Sequence, residues 1–186
     1  SRGLGDVYKR QVISGAEIQN LIDGATLPPP NIVGFFTTDV FANGFVQPTT
    51  IEQLPDGRYL VAEREGIIRL VNQDGSVQST PFLDINDIVN MVGVDRGLMS
   101  IAIGPDFAST RQLYVAYTYD PPQVQGLTGA GGPDGEGGRV ARVSRFTVNA
   151  SWTEADRNSE FVVVGNNSIY ENIGQPNRRP ELNDPP

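Results

Sequence analysis

The 186-residue sequence contains no cysteine and no histidine, and its single lysine is Lys9. Without cysteine there is no disulfide framework, no zinc–thiolate site and no thiol nucleophile. Without histidine there is no Ser-His-Asp relay and no histidine metal cluster within these residues. No run of 18 apolar residues occurs, so the sequence offers no membrane-spanning segment, and no signal peptide is visible. Positive charge is scarce: 14 basic residues stand against 22 acidic ones, a formal charge of −8. Such a balance repels phosphate backbones and anionic membranes, so no nucleic-acid partner is expected. Nucleotide-binding glycine patterns are missing too. Gly129 and Gly131 are followed by Asp134 where a third glycine would stand, and no Walker lysine lies outside the first eleven residues. The acidic, glycine-rich stretch 131–138 lacks the spacing of a calcium-binding EF-hand loop.

The first eleven residues, SRGLGDVYKRQ, differ in texture from the rest of the chain. They hold the only lysine, show neither helical nor strand periodicity, and stop abruptly before VISGAEIQ. Written as codons they resemble, residue for residue, an adapter used in transposase-based sequencing libraries. Residues 1–11 are therefore expected to be a non-native tail, and the chain a fragment translated from a sequencing read of metagenomic type. Without them the chain has 11 basic and 21 acidic residues, a charge of −10. Residues 12–36 are expected to form a linker or poorly ordered lead-in. AEIQNLI (16–22) has helical spacing, but Pro28, Pro29 and Pro30 end any regular structure because each lacks a donor N–H.

Glycine (21) and proline (14) are abundant, which favours short strands joined by turns. Residues 49–54, 58–64, 67–72 and 76–83 read as four strands separated by PDG, EG and QDG turns. The pattern returns at 97–103, 112–119, 139–149 and 159–165. Pro55-Asp56 recurs as Pro105-Asp106, and YLVAE is echoed by LYVAY. A four-strand unit repeated at this period is the mark of β-propeller blades; a β-sandwich is the structural alternative. The expected fold is all-β, an incomplete six-bladed propeller. Residues 37–186 form its N-terminal part, with blade one about 48–83 and blade two about 97–165. Two blades alone leave two apolar faces bare. At about 25 cal/mol per Å² that deficit is large beside a net stability of ~5–15 kcal/mol, so the fragment is not expected to be the working unit. The polar loop 120–138 is expected to be either a binding rim or a solvated insertion, and too flexible for the core.

Three ordered motifs carry a family resemblance: LPDGRYLVAEREG (54–66), DRGLMSIAIGPDF (95–107) with LYVAYT (113–118), and RVSRF (142–146). Together they resemble the glucose/sorbosone dehydrogenase family, soluble sugar dehydrogenases that use pyrroloquinoline quinone. The resemblance implies a six-bladed propeller with a central site, pyrroloquinoline quinone and calcium as cofactors of the full-length protein, and a sugar substrate with an electron acceptor. It also implies periplasmic or extracellular residence. Where the family places a glutamine and an asparagine near cofactor and sugar, this chain has Asp95 and Arg96. Arg96 would either hold a quinone carboxylate or form an ion pair with Asp95. The family's catalytic histidine belongs after the strands present here, as do its calcium and most cationic cofactor ligands. The fragment is thus expected to have no catalytic residue and no metal site of its own. The expected function is that of a piece of an aldose-oxidising, lactone-forming dehydrogenase, inactive alone. The alternative is a non-catalytic binding propeller of the hedgehog-interacting type, and a third reading is a propeller with no retained site.

Overall fold

The computed structural model describes residues 39–165. The tail 1–11, the lead-in 12–36 and the closing stretch 166–186 lie outside them. The described chain forms two four-stranded antiparallel sheets. Sheet one contains β1 (Pro48–Gln53), β2 (Tyr59–Glu63), β3 (Ile67–Val71) and β4 (Leu83–Asp84) in that order. Sheet two contains β5 (Leu98–Ile103), β6 (Gln112–Tyr119), β7 (Val140–Val148) and β8 (Ala155–Val164), again in chain order. One turn of helix, α1 (Phe107–Thr110), joins β5 to β6.

The turns follow from their residues. In the PDG turn Gly57 has φ +86°, and its N–H donates to the Leu54 carbonyl at 2.9 Å. Asp74 accepts from the Ser76 N–H at 2.9 Å, so its side chain closes the QDG turn. Two strands depart from expectation. β4 is only two residues long, although Phe82 N–H still bonds the Ile68 carbonyl at 2.7 Å. Gln78 N–H bonds the Leu70 carbonyl at 2.9 Å, so an advance of four residues from 78 to 82 runs against two of β3, and the extra residues break the ladder along 76–82. β8 begins at Ala155, four residues earlier than the apolar run announces. Its first half is polar, and a bulge between the Thr147–Asp156 and Arg145–Phe161 pairs disrupts the alternation that would have revealed it.

The sheets stack in the same order, first strand against first and last against last. β1 lies on β5, where the Ile103 N–H reaches Glu52 Oε1 at 3.4 Å. β4 lies beside β8, and the Ala155 N–H donates to the Phe82 carbonyl at 2.8 Å. Between them is one apolar core that includes Leu60, Ile68, Leu70 and Phe82 from the first sheet region and Leu113, Val115, Tyr117 and Phe146 from the second. This stacking, with the chain returning from outer β4 to inner β5, is how propeller blades follow one another. The far faces remain partly bare. Phe161 is 55% exposed and Val163 48% on sheet two, and Ile51 is 63% exposed on sheet one. On sheet one, Phe41 sets its ring edge to Tyr59 at 5.8 Å beside an apolar groove of about 210 Å³.

One buried polar cluster sits inside the core. Tyr117 Oη donates to Glu160 Oε1 at 2.8 Å and lies 3.2 Å from Ser144 Oγ, which itself donates to Glu160 at 2.6 Å. Burial pushes the Tyr117 phenol well above its ordinary range, and the Glu160 carboxylate adds to this against the opposing pull of Ser144 and Arg142. A phenol whose folded value exceeds its unfolded value of about 10 stabilises fully below that pH and loses its contribution as pH rises beyond it. Tyr117→Phe is expected to cost about 1 kcal/mol at neutral pH and to flatten the alkaline limb of the stability curve. Thermal melting from pH 7 to 11 checks this. Parallel limbs for the two proteins above pH 10 would rule it out.

Candidate functional site at one end of the sheets

The strand register gathers particular loops at one end. β1 begins opposite the end of β2 (Pro48–Glu63), and β5 begins opposite the end of β6 (Leu98–Tyr117). The β2–β3 turn, the connection 85–97 and the loop 120–138 therefore share this end with Gln47. Here the chain passes from outer strand to inner strand, so residues 90–97 form an arch at the start of β5.

Arg64 and Gly97 shape the arch. Gly97 has φ +128°, and a Cβ there would lie 2.6 Å from the Arg64 carbonyl oxygen and 2.5 Å from Arg64 Cγ. The close approach lets Leu98 N–H donate to the Arg64 carbonyl at 2.8 Å while Thr118 N–H donates to the Gly97 carbonyl at 3.0 Å. Only glycine satisfies both the backbone angle and the spacing. Asp95 is exposed at the crown of the arch beside Val94, which is 96% exposed. No hydrogen bond or ion pair among the described residues engages the Asp95 carboxylate.

Arg96 does not pair with Asp95. Its Nη1 donates to the carbonyls of Gly137 at 3.0 Å and Gly135 at 3.2 Å and to Asn90 Oδ1 at 3.3 Å. Its Nη2 donates to the Glu136 carbonyl at 3.3 Å. A planar fork of donors suits several converging carbonyls, and the glycines let the backbone come close enough. Arg96 is thus a strut holding the loop 120–138 to the arch. The loop itself is folded rather than loose, with Asp120, Val124, Gly132, Gly135 and Gly137 buried.

At the base of the loop is a buried ion pair that sequence reasoning missed. Asp120 and Arg139 are in contact, and both side chains are almost fully buried. Asp120 also accepts from the Asp134 N–H at 2.6 Å and from Asn90 Nδ2 at 3.2 Å. Arg139 Nη2 reaches the Gly132 carbonyl at 2.6 Å. Asp134 Oδ1 in turn accepts the Met91 N–H at 2.8 Å, tying loop to arch.

A family model described as Glucose / Sorbosone dehydrogenase matches residues 45–176, more than half of the chain. The chain belongs to the glucose/sorbosone dehydrogenase family. Among curated proteins it is similar to mouse hedgehog-interacting protein, 33% identical, over 41% of this chain and 12% of the relative. The human hedgehog-interacting protein is 32% identical, with 45% of this chain and 13% of the relative covered. Among solved structures, the soluble aldose sugar dehydrogenase of Escherichia coli in its apo form aligns with a TM-score of 0.52 at 20% identity. That alignment covers 67% of this chain and 31% of the other, and shows the shared fold. The PQQ-bound aldose sugar dehydrogenase of Streptomyces coelicolor aligns with a TM-score of 0.49 at 22% identity, covering 67% and 32%. The chain thus spans about an eighth of the curated relatives and less than a third of the solved dehydrogenases it matches.

Within this family member, the arch end of the two sheets is a frame of guanidinium–carbonyl and carboxylate–amide contacts. No group of three or more carboxylates that could hold a metal occurs among the described residues, and the sequence contains no histidine. No described helix is long and apolar enough to cross a membrane. The motif that identified the family contains Arg64, but nothing in its wording marks that side chain as the one gripping the arch. Asp120 had a weak signal: an aspartate before Pro121 at a strand end reads as a turn former. Its burial against Arg139, 19 positions on, depends on how the loop folds back.

Proposed function

We propose that the complete protein is a quinone-dependent sugar dehydrogenase that oxidises an aldose to its lactone, with its site at the arch end of the ring. The observation that carries this reading is the family match running through both sheets and the arch between them. The charge of the frame fits a tricarboxylic quinone. Arg64 and Arg96 both stand at this end, and neither is neutralised by a carboxylate in the ion pairs among the described residues. Their N–H groups are committed to carbonyl oxygens, so they would favour an anion by field more than by direct bonds. On this reading the exposed Asp95 carboxylate would accept a hydrogen bond from a sugar hydroxyl or a cofactor group. When bound, pyrroloquinoline quinone supplies a two-electron acceptor for the hydride of the anomeric carbon. Calcium and the proton-accepting histidine are assigned to residues beyond these, and the protein to the periplasm or cell exterior, from the family resemblance.

The test is to recover the downstream sequence, express the complete protein, and follow dye reduction with aldoses after adding the quinone and calcium. Sugar-dependent dye reduction is the expected result, with none from the 186-residue chain alone because it has no histidine base. A complete protein that reduces no dye with any aldose would reject the dehydrogenase reading. A second reading has its own support, the 33% identity to mouse hedgehog-interacting protein. On that reading the propeller binds a partner without catalysis, and the downstream sequence would lack a histidine followed by an apolar strand and FGPDG-like wording.

A further inference from the structure

We infer that Arg64 is a positioning residue that sets the arch 91–96, and with it Asp95 and Arg96, in one conformation. The inference rests on the preceding reading only in treating this end as the working end. The Glu63–Gly66 turn, closed by the Gly66 N–H on the Glu63 carbonyl at 3.0 Å, places Arg64 just beyond β2. Its side chain crosses to the other blade. Nε donates to the Arg96 carbonyl at 2.8 Å, and Nη2 donates to the Met91 carbonyl at 2.6 Å and to the Gly93 carbonyl. Nη1 reaches Gln47 Oε1 at 3.3 Å, and the Arg64 backbone N–H donates to the Gln47 carbonyl at 3.1 Å. Gln47 has a positive φ of 46°, unusual for a residue with a side chain, just where β1 begins.

One guanidinium therefore joins the start of the innermost strand of blade one to three carbonyls of the arch. Its other ties run to the loop 120–138, through the Arg96 side chain and through the Met91 N–H on Asp134 Oδ1. Backbone N–H groups from 92 to 96 make no backbone hydrogen bonds among the described residues, and Gly93 and Gly97 both have positive φ. Three carbonyls at separate points match a planar five-donor fork. A lysine ammonium, a single nitrogen on a flexible stem, cannot meet them together. Because the partners are carbonyls, the positive charge at the arch is not neutralised by them.

The absence of cysteine makes a clean test possible. A nitroxide label is attached at Val94→Cys in the 186-residue chain, and a second at Leu127→Cys as a control on the loop; both native side chains are exposed. Arg64→Lys and Arg64→Met are expected to shorten the rotational correlation time of the label at 94 by roughly threefold and to leave the label at 127 unchanged. An unchanged label at 94 overturns the inference. Equal loosening at both positions also overturns it, because Arg64 would then only stabilise the fold. If Arg64→Met does not fold, the lysine variant decides. In the complete protein, Arg64→Lys is expected to raise the dissociation constant for pyrroloquinoline quinone about tenfold at an unchanged melting temperature. A complete protein that binds no quinone removes the dehydrogenase reading, while the label result still decides the role of Arg64.

Discussion

Asp120→Ala is expected to destabilise the protein by about 3–5 kcal/mol, the range for breaking a buried ion pair by removing one partner. Asp120 is the only carboxylate paired with Arg139 among the described residues, and the arginine side chain has no exposure. Truncation leaves that guanidinium charged in a space water does not reach. It also takes the acceptor from the Asp134 N–H and from Asn90 Nδ2. The loop 120–138 should then detach from the arch, since Asp134 holds Met91 only from its folded position. Denaturant unfolding should show a large fall in midpoint with the slope nearly unchanged. Replacing both partners, Asp120→Leu with Arg139→Met, should recover part of the loss, because no charge is left stranded. A loss under about 1 kcal/mol for the single alanine variant would mean the pair is worth no more than an exposed one.

The second large effect is expected at Gly97. Gly97→Ala requires a left-handed backbone from an L residue, worth roughly 1–3 kcal/mol by itself, and places Cβ 2.6 Å from the Arg64 carbonyl oxygen. That oxygen belongs to a backbone held by Leu98 and cannot move without opening the contact between the sheets. The total is expected to reach about 3–5 kcal/mol, the exceptional end for a single substitution. Gly126 supplies the control, with φ +85° and nothing within 4 Å of its would-be Cβ. Gly126→Ala should cost only about 1 kcal/mol. Equal losses at the two positions, measured by chemical unfolding, would show that backbone angle alone matters and that the close approach of β5 to Arg64 does not.

These two positions also mark the limit of what the sequence discloses. The strands of sheet one and the start of sheet two are legible because short β-rich runs are bounded by turn signals, and Gly57, Gly66 and Gly75 fall where turns need positive φ. β4 and the first half of β8 are less so. Extra residues between Gln78 and Phe82 interrupt one, and a bulge leaves the polar residues Arg157 to Glu160 outside the ladder in the other. The loop 120–138 looks loose from composition, since glycine and acidic residues signal solvent. Its order comes from a carboxylate and a guanidinium 19 residues apart that meet only after β6 and β7 have paired. Asp95 and Arg96 stand out in sequence because they depart from a family pattern. The family pattern cannot say that Arg96 faces a loop while Asp95 faces solvent.

Local chemistry by itself determined that this protein is built of short antiparallel strands repeated as two blades, because turn residues and the β-rich runs between them act over a few positions. It also determined that these residues hold no histidine base and no thiolate. Tertiary structure alone decided which charged groups are spent on the frame and which remain free, because a guanidinium takes whatever acceptors the folded chain brings within about 3 Å. Arg64, Arg96 and Arg139 found carbonyls and one buried carboxylate across 19 to 41 positions, separations at which no periodicity speaks.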